Sequence, residues 1–480
     1  MKILQVSATD FGGGAAKVAW DLHKAYQQRS YDSWIAVGKK KTDDSCVMQI
    51  PNEKPQNMWE QAAFGLAHQT KKLIGKIKGA GVATNFFNAA ARYRNTVDYF
   101  YGRELFNYPG SNHLLSLPPH IPDLIHCHNL HSKYFDLRFL PQFSHQLPTI
   151  LTLHDTWLLS GHCAYAKTCD RWQTGCGQCP DLKLYPAIRR DNTASNWRLK
   201  KDLYARSVLY VTTPCKWLMN KVSSSMLQPG IKKQRVIHNG VDIDFFRPGD
   251  KSVARAALNL DPQEFIVLFV ANSVRNNIWK DFATLKQGME ILSAKRPTAK
   301  VRLICFGDES PLEYAGNIPI SFIPHTADFA RLVKFYQAAD VYVHAAKADT
   351  FPTVVLEALA CGLPVIATAL DGISEQIKSL QSLKTLEPFM EPLEVFSSSD
   401  ATGVGVSRHG ADEIAYWVAS FIDDPALRTK LAMNARRDAT QRFDFNKHVA
   451  NYLESYLECI EDFKALKKIK KESSYIYEQN

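Results

Sequence analysis

Two carboxylates, Asp349 and Glu357, stand eight residues apart where a loop with a proline gives way to an apolar stretch of helical spacing. The N–H groups and the positive dipole end at the start of such a helix can bind a phosphate. A carboxylate beside a phosphate would repel it, so these acids are better suited to accepting hydroxyl groups of a ribose or a sugar. The combination indicates a sugar-nucleotide site. The alternative is an ordinary packed unit of an α/β sheet.

The surrounding sequence predicts the elements that position these acids. VYVH at 341–344 is typical of a buried strand, TVVLEALAC fits a short helix ended by Gly362, and LPVIAT fits the next strand, which together make a βαβ unit. Strands also alternate with helices elsewhere in both halves of the chain. A length of 480 residues suits two domains. We therefore expect two doubly wound α/β domains that bind ligands at the carboxyl ends of their strands.

Other predicted strand ends carry residues that could contact a ligand. Gly12, Gly13 and Gly14 lie between a first strand and a first helix, where a glycine-rich turn lets the backbone approach a ligand closely. A flexible connection is the alternative. A later strand, DLIHCHN, places His126 and His128 on one face. No third zinc ligand is indicated nearby, and hydrogen-bonded core histidines are the alternative for this pair.

A cysteine-rich loop spans 161–182, with the pattern C-x5-C-x6-C-x2-C. This spacing can close around a structural zinc, because four thiolates would leave no open coordination position. Packed free thiols and redox bonding are the alternatives, and stable disulfides are less expected in a cytosolic chain. The residues concerned are Cys163, Cys169, Cys176 and Cys179.

Composition narrows the class of protein. Hydrophobic residues make up 45% and charged residues 22%, as in soluble globular proteins. No apolar stretch is long enough for a transmembrane helix, and the start of the chain is typical of a strand, so we expect a cytoplasmic protein. The net charge of +10 favours anionic partners such as nucleotide phosphates, lipid diphosphates or an acidic membrane. No nucleic-acid-binding motif accompanies the charge, so nucleic acid is not expected as a partner.

Residues 57–81 mix Trp59, Phe64, Leu73 and Ile74 with four lysines. A basic amphipathic helix of this kind can lie on an anionic membrane surface. The alternative is a surface helix whose apolar face packs on its own domain.

The D-x7-E spacing, followed by ALACGLPVIAT, resembles the E-x7-E signature of family 4 retaining glycosyltransferases of the GT-B fold. The resemblance implies that Glu357 binds the nucleotide ribose and that Asp349 lies beside the donor sugar, where the family usually has glutamate. It also implies a backbone facing the donor phosphates at three cofactor-binding positions, Phe351, Pro352 and Thr353.

The same resemblance implies roles for residues at other strand ends. The Gly12 to Gly14 loop would face the donor diphosphate and the acceptor, and His128 would contact the donor sugar or the reacting hydroxyl. Lys280 and Arg275 would hold the diphosphate, although Asn272 occupies the usual arginine position and Arg275 is displaced along a longer loop. The family is usually described by front-face transfer, so no catalytic metal and no covalent nucleophile are expected.

The cysteine-containing segment resembles a family 4 subgroup of exopolysaccharide and lipopolysaccharide biosynthesis. We therefore predict two Rossmann-like domains facing a central cleft: an acceptor-side domain over 1–230, a nucleotide-sugar domain over 231–440, and a helix with a basic tail over 441–480 that crosses back. The implied function is transfer of a sugar from a nucleoside diphosphate to a saccharide, lipid-linked, at the inner membrane face. A sugar-nucleotide epimerase or hydrolase, or a weakly catalytic nucleotide-sugar-binding protein, are the alternatives.

Overall fold

The computed structural model describes residues 1–53, 57–166, 168–326, 328–382 and 393–477, with side chains up to residue 469. The side chains at the end of the predicted basic tail therefore lie outside the described part. The chain divides into two compact units. The first contains Met1–Thr213, Met219–Arg235 and Leu453–Asn480, and the second contains Pro214–Leu218 and Val236–Tyr452.

The first unit is built on a seven-stranded sheet with the order β3-β2-β1-β4-β5-β6-β7. Its strands are β1 Lys2–Thr9, β2 Asp32–Lys39, β3 Val47–Gln49, β4 Leu124–His128, β5 Thr149–Thr152, β6 Leu209–Thr213 and β7 Ile231–Val236. The pairs from β3 through β6 are parallel. Central strands such as β1 and β4 are buried along most of their length, as expected for a parallel sheet covered on both faces. The predicted domain boundary at 230–231 falls at the start of β7.

The helices before β7 are α1 Gly14–Gln28, α2 Met58–Lys71, α3 Ala80–Ala91, α4 Tyr93–Tyr101, α5 Leu140–Gln146, α6 Thr193–Ala205 and α7 Lys216–Ser223. The basic stretch at 57–81 differs from the predicted single helix. It forms α2, an exposed turn over 72–79, and the start of α3. Gly75 and Gly79 adopt positive φ in that turn, which interrupts the helix. Within the described ranges, no helix is both long enough and apolar enough to span a membrane.

The second unit contains a sheet of seven strands in the order β10-β11-β9-β8-β12-β13-β14. These are β8 Phe265–Val270, β9 Val301–Phe306, β10 Glu313–Ala315, β11 Ile318–Ile323, β12 Val341–His344, β13 Val365–Thr368 and β14 Gly403–Val406. β10 pairs antiparallel with β11 at one edge, and the other pairs are parallel. The helices are α8 Lys251–Ala257, α9 Phe282–Lys295, α10 Phe329–Ala338, α11 Thr353–Ala360, α12 Ile373–Gln376, α13 Ala411–Asp423, α14 Pro425–Arg442 and α15 Phe445–Tyr477.

Both sheets confirm the prediction of doubly wound α/β units, and each has one switch in strand order. The switch lies between β1 and β4 in the first unit and between β8 and β12 in the second. Ligands of open α/β sheets bind in the crevice at the carboxyl ends of strands at such a point. The loops that follow these four strands carry most of the predicted site residues.

The predicted βαβ unit is present as β12, α11 and β13. β12 and β13 pair in parallel, with Tyr342 opposite Val365. α11 ends at the predicted position, where Gly362 has φ of 69° and allows the chain to reverse toward β13. The helix is buried along nearly all of its length because its residues are mostly apolar.

Candidate functional site

In the second unit, the loop after β8 pairs with the loop after β12. Lys280 forms an antiparallel bridge with Ala346, the Asp281 N–H donates to the Ala345 carbonyl at 3.0 Å, and the Lys347 N–H donates to the Trp279 carbonyl at 2.8 Å. These backbone bonds fix Lys280 against the loop that carries Asp349. Two residues 69 positions apart in sequence are thereby brought into contact.

The Lys280 ammonium forms an ion pair with Asp349 and lies 3.1 Å from His344 Nε2. Because an ammonium can only donate, Nε2 accepts, and Nδ1 carries the proton of the neutral ring. Nδ1–H then donates to the Tyr342 hydroxyl oxygen at 3.0 Å. His344 is the last residue of β12 and was not predicted as a site residue. Its place at a strand end was the only signal in the sequence.

The charges in this cluster follow from its surroundings. Burial alone would raise the pKa of Asp349, but Lys280 and His344 outweigh it and hold the pKa at about 2. Burial, with the Lys280 charge adding to it, lowers the pKa of His344 to about 4. At neutral pH the cluster therefore contains an ammonium, a carboxylate and an uncharged imidazole.

Glu357 lies one turn into α11 and is buried. The Tyr336 hydroxyl of α10 donates to Glu357 Oε2 at 3.0 Å, which orients the carboxylate. No local pattern in the sequence indicates Tyr336, because 21 residues separate it from Glu357.

The start of α11 has no side-chain cap, and its N-cap residue is Pro352. The preceding residue, Phe351, is buried, and its ring stacks on His238 with ring centroids 5.2 Å apart. The Gln376 side chain donates to the Pro352 carbonyl at 2.9 Å. These contacts fix the chain that enters the helix and aim the N–H groups of the first turn, beginning at Thr353, away from the helix body.

Arg275 occupies a different place from Lys280. Its guanidinium forms an ion pair with Glu313, a residue that also pairs with Lys286 at 2.9 Å, and it lies over the Phe322 ring. The backbone N–H of Arg275 donates to Asp308 at 2.9 Å. The structure thus does not join Arg275 to the Lys280 and Asp349 cluster, and its contact with a diphosphate stays a prediction.

The glycine-rich turn of the first unit follows β1. Gly12 and Gly13 both have φ of 87°, so only glycine is free of strain there, and Gly13 is the N-cap of α1. A Cβ on Gly13 or Gly14 would meet no described atom within 4 Å. The backbone is therefore open to close approach, as the sequence analysis predicts. Its contact with a donor or an acceptor stays a prediction.

His126 and His128 lie on one face of β4, as predicted, with ring centroids 4.1 Å apart. Both are fully buried. His128 is within hydrogen-bond distance of Gln5 Oε1 and of His154 Nε2, each at 3.1 Å, and His126 contacts the Tyr456 hydroxyl at 2.6 Å. This is the arrangement of hydrogen-bonded core histidines. The predicted contact of His128 with a donor sugar stays a prediction.

A second polar group in the first unit follows β4 and β5. Asp155 accepts from His131 Nε2 at 2.8 Å. His131 Nδ1 faces the hydroxyl groups of Ser132 at 2.9 Å and Tyr185 at 3.4 Å. Tyr185 belongs to the segment that follows the cysteine-rich loop, and no local pattern links it to His131.

The four cysteines of the predicted metal site are free thiols around a small void of about 20 Å³. His162 Nδ1 donates to the Pro186 carbonyl at 3.1 Å, so its Nε2 accepts from the Cys179 thiol at 3.2 Å. Burial raises the pKa of Cys163, Cys176 and Cys179. In the described part of the chain, no three His, Cys, Asp or Glu residues are arranged to hold a metal ion. Structural zinc at the four cysteines therefore stays a prediction.

Buried neutral histidines predict how stability depends on pH. Burial lowers the pKa of His23 in the first unit and of His344 in the second to about 4. Between about pH 6.5 and pH 4 the unfolded chain binds protons at these positions that the folded chain does not. We therefore expect the free energy of unfolding to fall as the pH falls through this window, by up to about 1.4 kcal/mol per pH unit for each histidine.

This expectation can be checked by thermal unfolding at several pH values for the wild type, His23→Gln, His344→Gln, and His113→Gln as an exposed control. Each buried-site variant should flatten the pH dependence of unfolding, whereas the control should leave it unchanged. Equal slopes in all four proteins would contradict the assignment.

Comparison with family models identifies two segments. Residues 84–245 match the model described as Glycosyltransferase Family 4. Residues 250–438 match the model described as Glycosyl transferases group 1. The first match begins within α3 and ends after β7, and the second includes Lys280, Asp349 and Glu357.

Curated relatives agree with these matches. A protein of Escherichia coli K12 named for colanic acid biosynthesis, the glycosyl transferase WcaC, is 26% identical over 396 residues, covering 79% of this chain and 85% of that protein. A D-inositol 3-phosphate glycosyltransferase of Rhodococcus opacus is 30% identical over 234 residues, covering 46% of this chain and 47% of that protein.

Solved structures resemble this one over nearly its whole length. Anabaena Alr3699/HepE in complex with UDP matches with a TM-score of 0.57 and 18% identity, over 95% of this chain and 100% of that chain. WaaG, described as a glycosyltransferase involved in lipopolysaccharide biosynthesis, matches with a TM-score of 0.55 and 12% identity, over 94% and 98% of the two chains. At these identities the likeness concerns the fold, which is that of GT-B glycosyltransferases.

Proposed function

We propose that this chain, a glycosyltransferase of the GT-B fold, is a retaining enzyme that transfers a sugar from a nucleoside diphosphate to a saccharide acceptor. The observation that carries the proposal is the Lys280 and Asp349 ion pair at the switch point of the second sheet. Asp349 lies on the loop that leads into α11, the helix that carries Glu357. The loop after β12 and α11 thus provide two carboxylates and a helix start, and the loop after β8 provides the cation.

Lys280 would stabilise the leaving group. Breaking the bond between the sugar and the phosphate places negative charge on the departing nucleoside diphosphate, and a fixed ammonium stabilises that charge as it develops. Asp349 and His344 take two of the directions in which the ammonium can donate. The third can point to a phosphate oxygen, and the first-turn N–H groups of α11 supply further donors.

The two carboxylates would have separate tasks. Glu357, oriented by Tyr336, would accept hydrogen bonds from the ribose hydroxyls. Because the carboxylate is charged, these bonds are stronger than bonds between neutral groups. Asp349 stays ionised at neutral pH because of Lys280, and it would both hold the ammonium in place and accept from a hydroxyl of the donor sugar. In front-face transfer, the leaving phosphate itself would help to deprotonate the acceptor hydroxyl.

Product analysis tests this proposal directly. The purified protein would be incubated with UDP-, GDP-, ADP- and dTDP-sugars, with and without lipid-linked saccharide extracts, and products would be followed by NMR. We expect nucleotide release that depends on the acceptor, and a glycoside with the anomeric configuration of the donor. An inverted product would refute the retaining mechanism. Free sugar released equally without an acceptor would favour a hydrolase or an epimerase.

The proposed acceptor is a lipid-linked saccharide of bacterial surface polysaccharide biosynthesis. Support comes from the relatives, since one is named for colanic acid biosynthesis and a structural neighbour is described as acting in lipopolysaccharide biosynthesis. The complex of HepE with UDP likewise supports a nucleotide donor.

The turn between α2 and α3 supports contact with an anionic membrane. All residues from 71 to 79 are exposed, among them Ile74, Ile77 and four lysines. Val82 and Phe86 of α3 are 75% and 66% exposed. Apolar side chains beside clustered lysines suit the headgroup region of an anionic bilayer, where each lysine contributes about 1 kcal/mol.

We predict that the protein co-sediments with vesicles that contain phosphatidylglycerol and much less with pure phosphatidylcholine vesicles. Replacing Ile74 and Ile77 by serine should weaken vesicle binding at least fivefold, because two apolar anchors are lost. Ile121→Ser is the matched control, since Ile121 is exposed elsewhere in the first unit. Undiminished binding by the Ile74 and Ile77 double variant would rule out this turn as the membrane contact.

A further inference from the structure

A large cavity in the first unit is not used by the proposed donor chemistry. Its volume is about 660 Å³, within the range of small-molecule sites, which is roughly 300–1,000 Å³. It is lined by the end of α3, by α4 with the chain that follows, by the loop after β4, by Trp157 and by residues 185–188. These segments are distant in sequence and meet only in the fold.

Aromatic rings form much of the wall. Trp157 is 3% exposed, and the Phe106 ring meets it edge-on with centroids 6.1 Å apart. Tyr99 and Tyr185 are partly exposed; Lys133 and Arg189 lie over the Tyr99 ring, so Tyr185 is the ring that a ligand can reach. A sugar ring has C–H faces that pack on aromatic rings and hydroxyl groups that need polar partners, so this wall suits a saccharide.

Two cations of the lining lack a hydrogen-bonded acid. The Lys133 ammonium lies 4.2 Å from the centre of the Tyr99 ring, and the Arg103 guanidinium lies 5.2 Å from that of Tyr101. Neither side chain forms a hydrogen bond with a carboxylate in the described part of the chain, but the Arg103 charge acts on Asp98 and opposes the rise in its pKa that burial causes. Both are exposed and held by ring contacts, which leaves their N–H groups available to a ligand.

The acids of the lining are already engaged. Glu104 pairs with the buried Lys200 at 2.9 Å and accepts from Trp157 Nε1 at 2.9 Å. Asp98 accepts from the Asn107 side chain at 2.7 Å. The lining has three cations, Arg92, Arg103 and Lys133, and two acids, of which Glu104 is already paired with Lys200. The charge toward the cavity is therefore positive, and a bound saccharide would be favoured if it carried an anionic group.

Two residues of the loop after β4 have a strained backbone conformation. Ser132 and Lys133 are consecutive non-glycine residues with φ of 81° and 62°. Such backbone costs about 1–3 kcal/mol per residue and persists where the surroundings impose it. Here it turns Lys133 over Tyr99 and places the Ser132 hydroxyl 2.9 Å from His131 Nδ1, while Nε2 is bonded to Asp155. A ligand hydroxyl that donates to Nδ1 would take the place of Ser132.

The cysteine-rich loop supports the opposite wall. The Ala164 N–H donates to the Tyr185 carbonyl at 2.7 Å, and His162 donates to the Pro186 carbonyl at 3.1 Å. These bonds fix the segment that carries Tyr185. The loop thus acts on the cavity by positioning its wall, not by touching a ligand.

We propose that this cavity binds a saccharide that carries a carboxylate or a phosphate group, as part of the acceptor. The inference rests on the proposed glycosyl transfer, because it assigns the anionic saccharide to the acceptor side. Tyr185 packs on the sugar ring, Lys133 and Arg103 bind its anionic group, and His131 Nδ1 accepts from one of its hydroxyls.

Saturation-transfer NMR on the full chain tests this with three probes that differ at one carbon: methyl glucoside, methyl glucuronide and methyl glucoside 6-phosphate. We expect at least one anionic probe to bind at least tenfold more tightly than the neutral one. Whether the glucuronide or the phosphate binds more tightly shows which anionic group the cavity prefers. In the double variant Lys133→Ala and Arg103→Ala this preference should be lost. Lys232→Ala, an exposed lysine on β7, is the control and should retain it.

No binding of any probe, equal binding of all three, or a preference that survives in the double variant would overturn the proposal. UDP binding, measured on the same samples by thermal stabilisation, reports separately on the second unit. Failure of all nucleotides to bind with the saccharide preference intact would refute the donor site but not this cavity. Normal UDP binding without any saccharide preference would refute the cavity alone.

Discussion

Replacing Lys280 by methionine should lower kcat for donor turnover by about a hundred- to a thousandfold. Methionine keeps the length and apolar stem of the side chain but removes the charge that would stabilise the leaving diphosphate. The effect should be larger on kcat than on KM, because charge on the leaving group develops mainly in the transition state. The measurement is the steady-state rate of nucleotide release with the best donor of the panel.

Loss of Lys280 also leaves Asp349 without its partner, so stability has to be separated from catalysis. Lys280→Met alone should lower Tm, because a largely enclosed carboxylate loses its ion pair. Adding Asp349→Asn should restore much of the stability but not the rate. Lys334→Met, at an exposed position of α10, is the control for both measurements. A double variant that turns over at more than a third of the wild-type rate would exclude a leaving-group role for Lys280.

Replacing Glu357 by glutamine should weaken the binding of nucleoside diphosphates about ten- to a hundredfold. Glutamine has nearly the same shape and can still accept from Tyr336, but it lacks the charge that strengthens bonds from ribose hydroxyls. Because the ribose is common to the donor and to the released nucleotide, UDP and a UDP-sugar should lose similar affinity. Calorimetry with both ligands provides the measurement.

Tyr336→Phe should weaken binding by a smaller factor, since it removes only the group that orients Glu357. Glu290→Gln, at an exposed position of α9, should have no effect. If Glu357→Gln folds normally and binds nucleotides with unchanged affinity, Glu357 does not bind the ribose. A loss confined to the UDP-sugar would instead assign Glu357 to the sugar.

The aspartate at position 349 departs from the glutamate that the family usually has. The shorter side chain still reaches Lys280, because the backbone bridge between the two loops brings the lysine to it. The pair provides a physical reason for the carboxylate to remain ionised in an enclosed place. The departure therefore leaves the electrostatics of the proposed donor site intact.

Local sequence was sufficient for the framework. The apolar run at β12, the helical spacing of α11 and the glycine at its end are each decided by residues close together in the chain. The same holds for the glycine turn before α1 and for the histidine pair of β4, which a period of two residues places on one face. At 57–81 two local signals conflict. The spacing of apolar and basic residues predicts one helix, but the glycines at 75 and 79 interrupt it.

Two doubly wound units, and the loops that could carry chemistry, are predictable from the chain because strand and helix periodicity is a local property. Which side chains meet is set by the fold. It joined Lys280 to Asp349 and His344, and it directed Arg275 to Glu313. Tyr336 reaches Glu357, and Tyr185 reaches His131, across gaps of 21 and 54 residues. Such contacts depend on strand order and loop path, which leave no periodic trace in the chain.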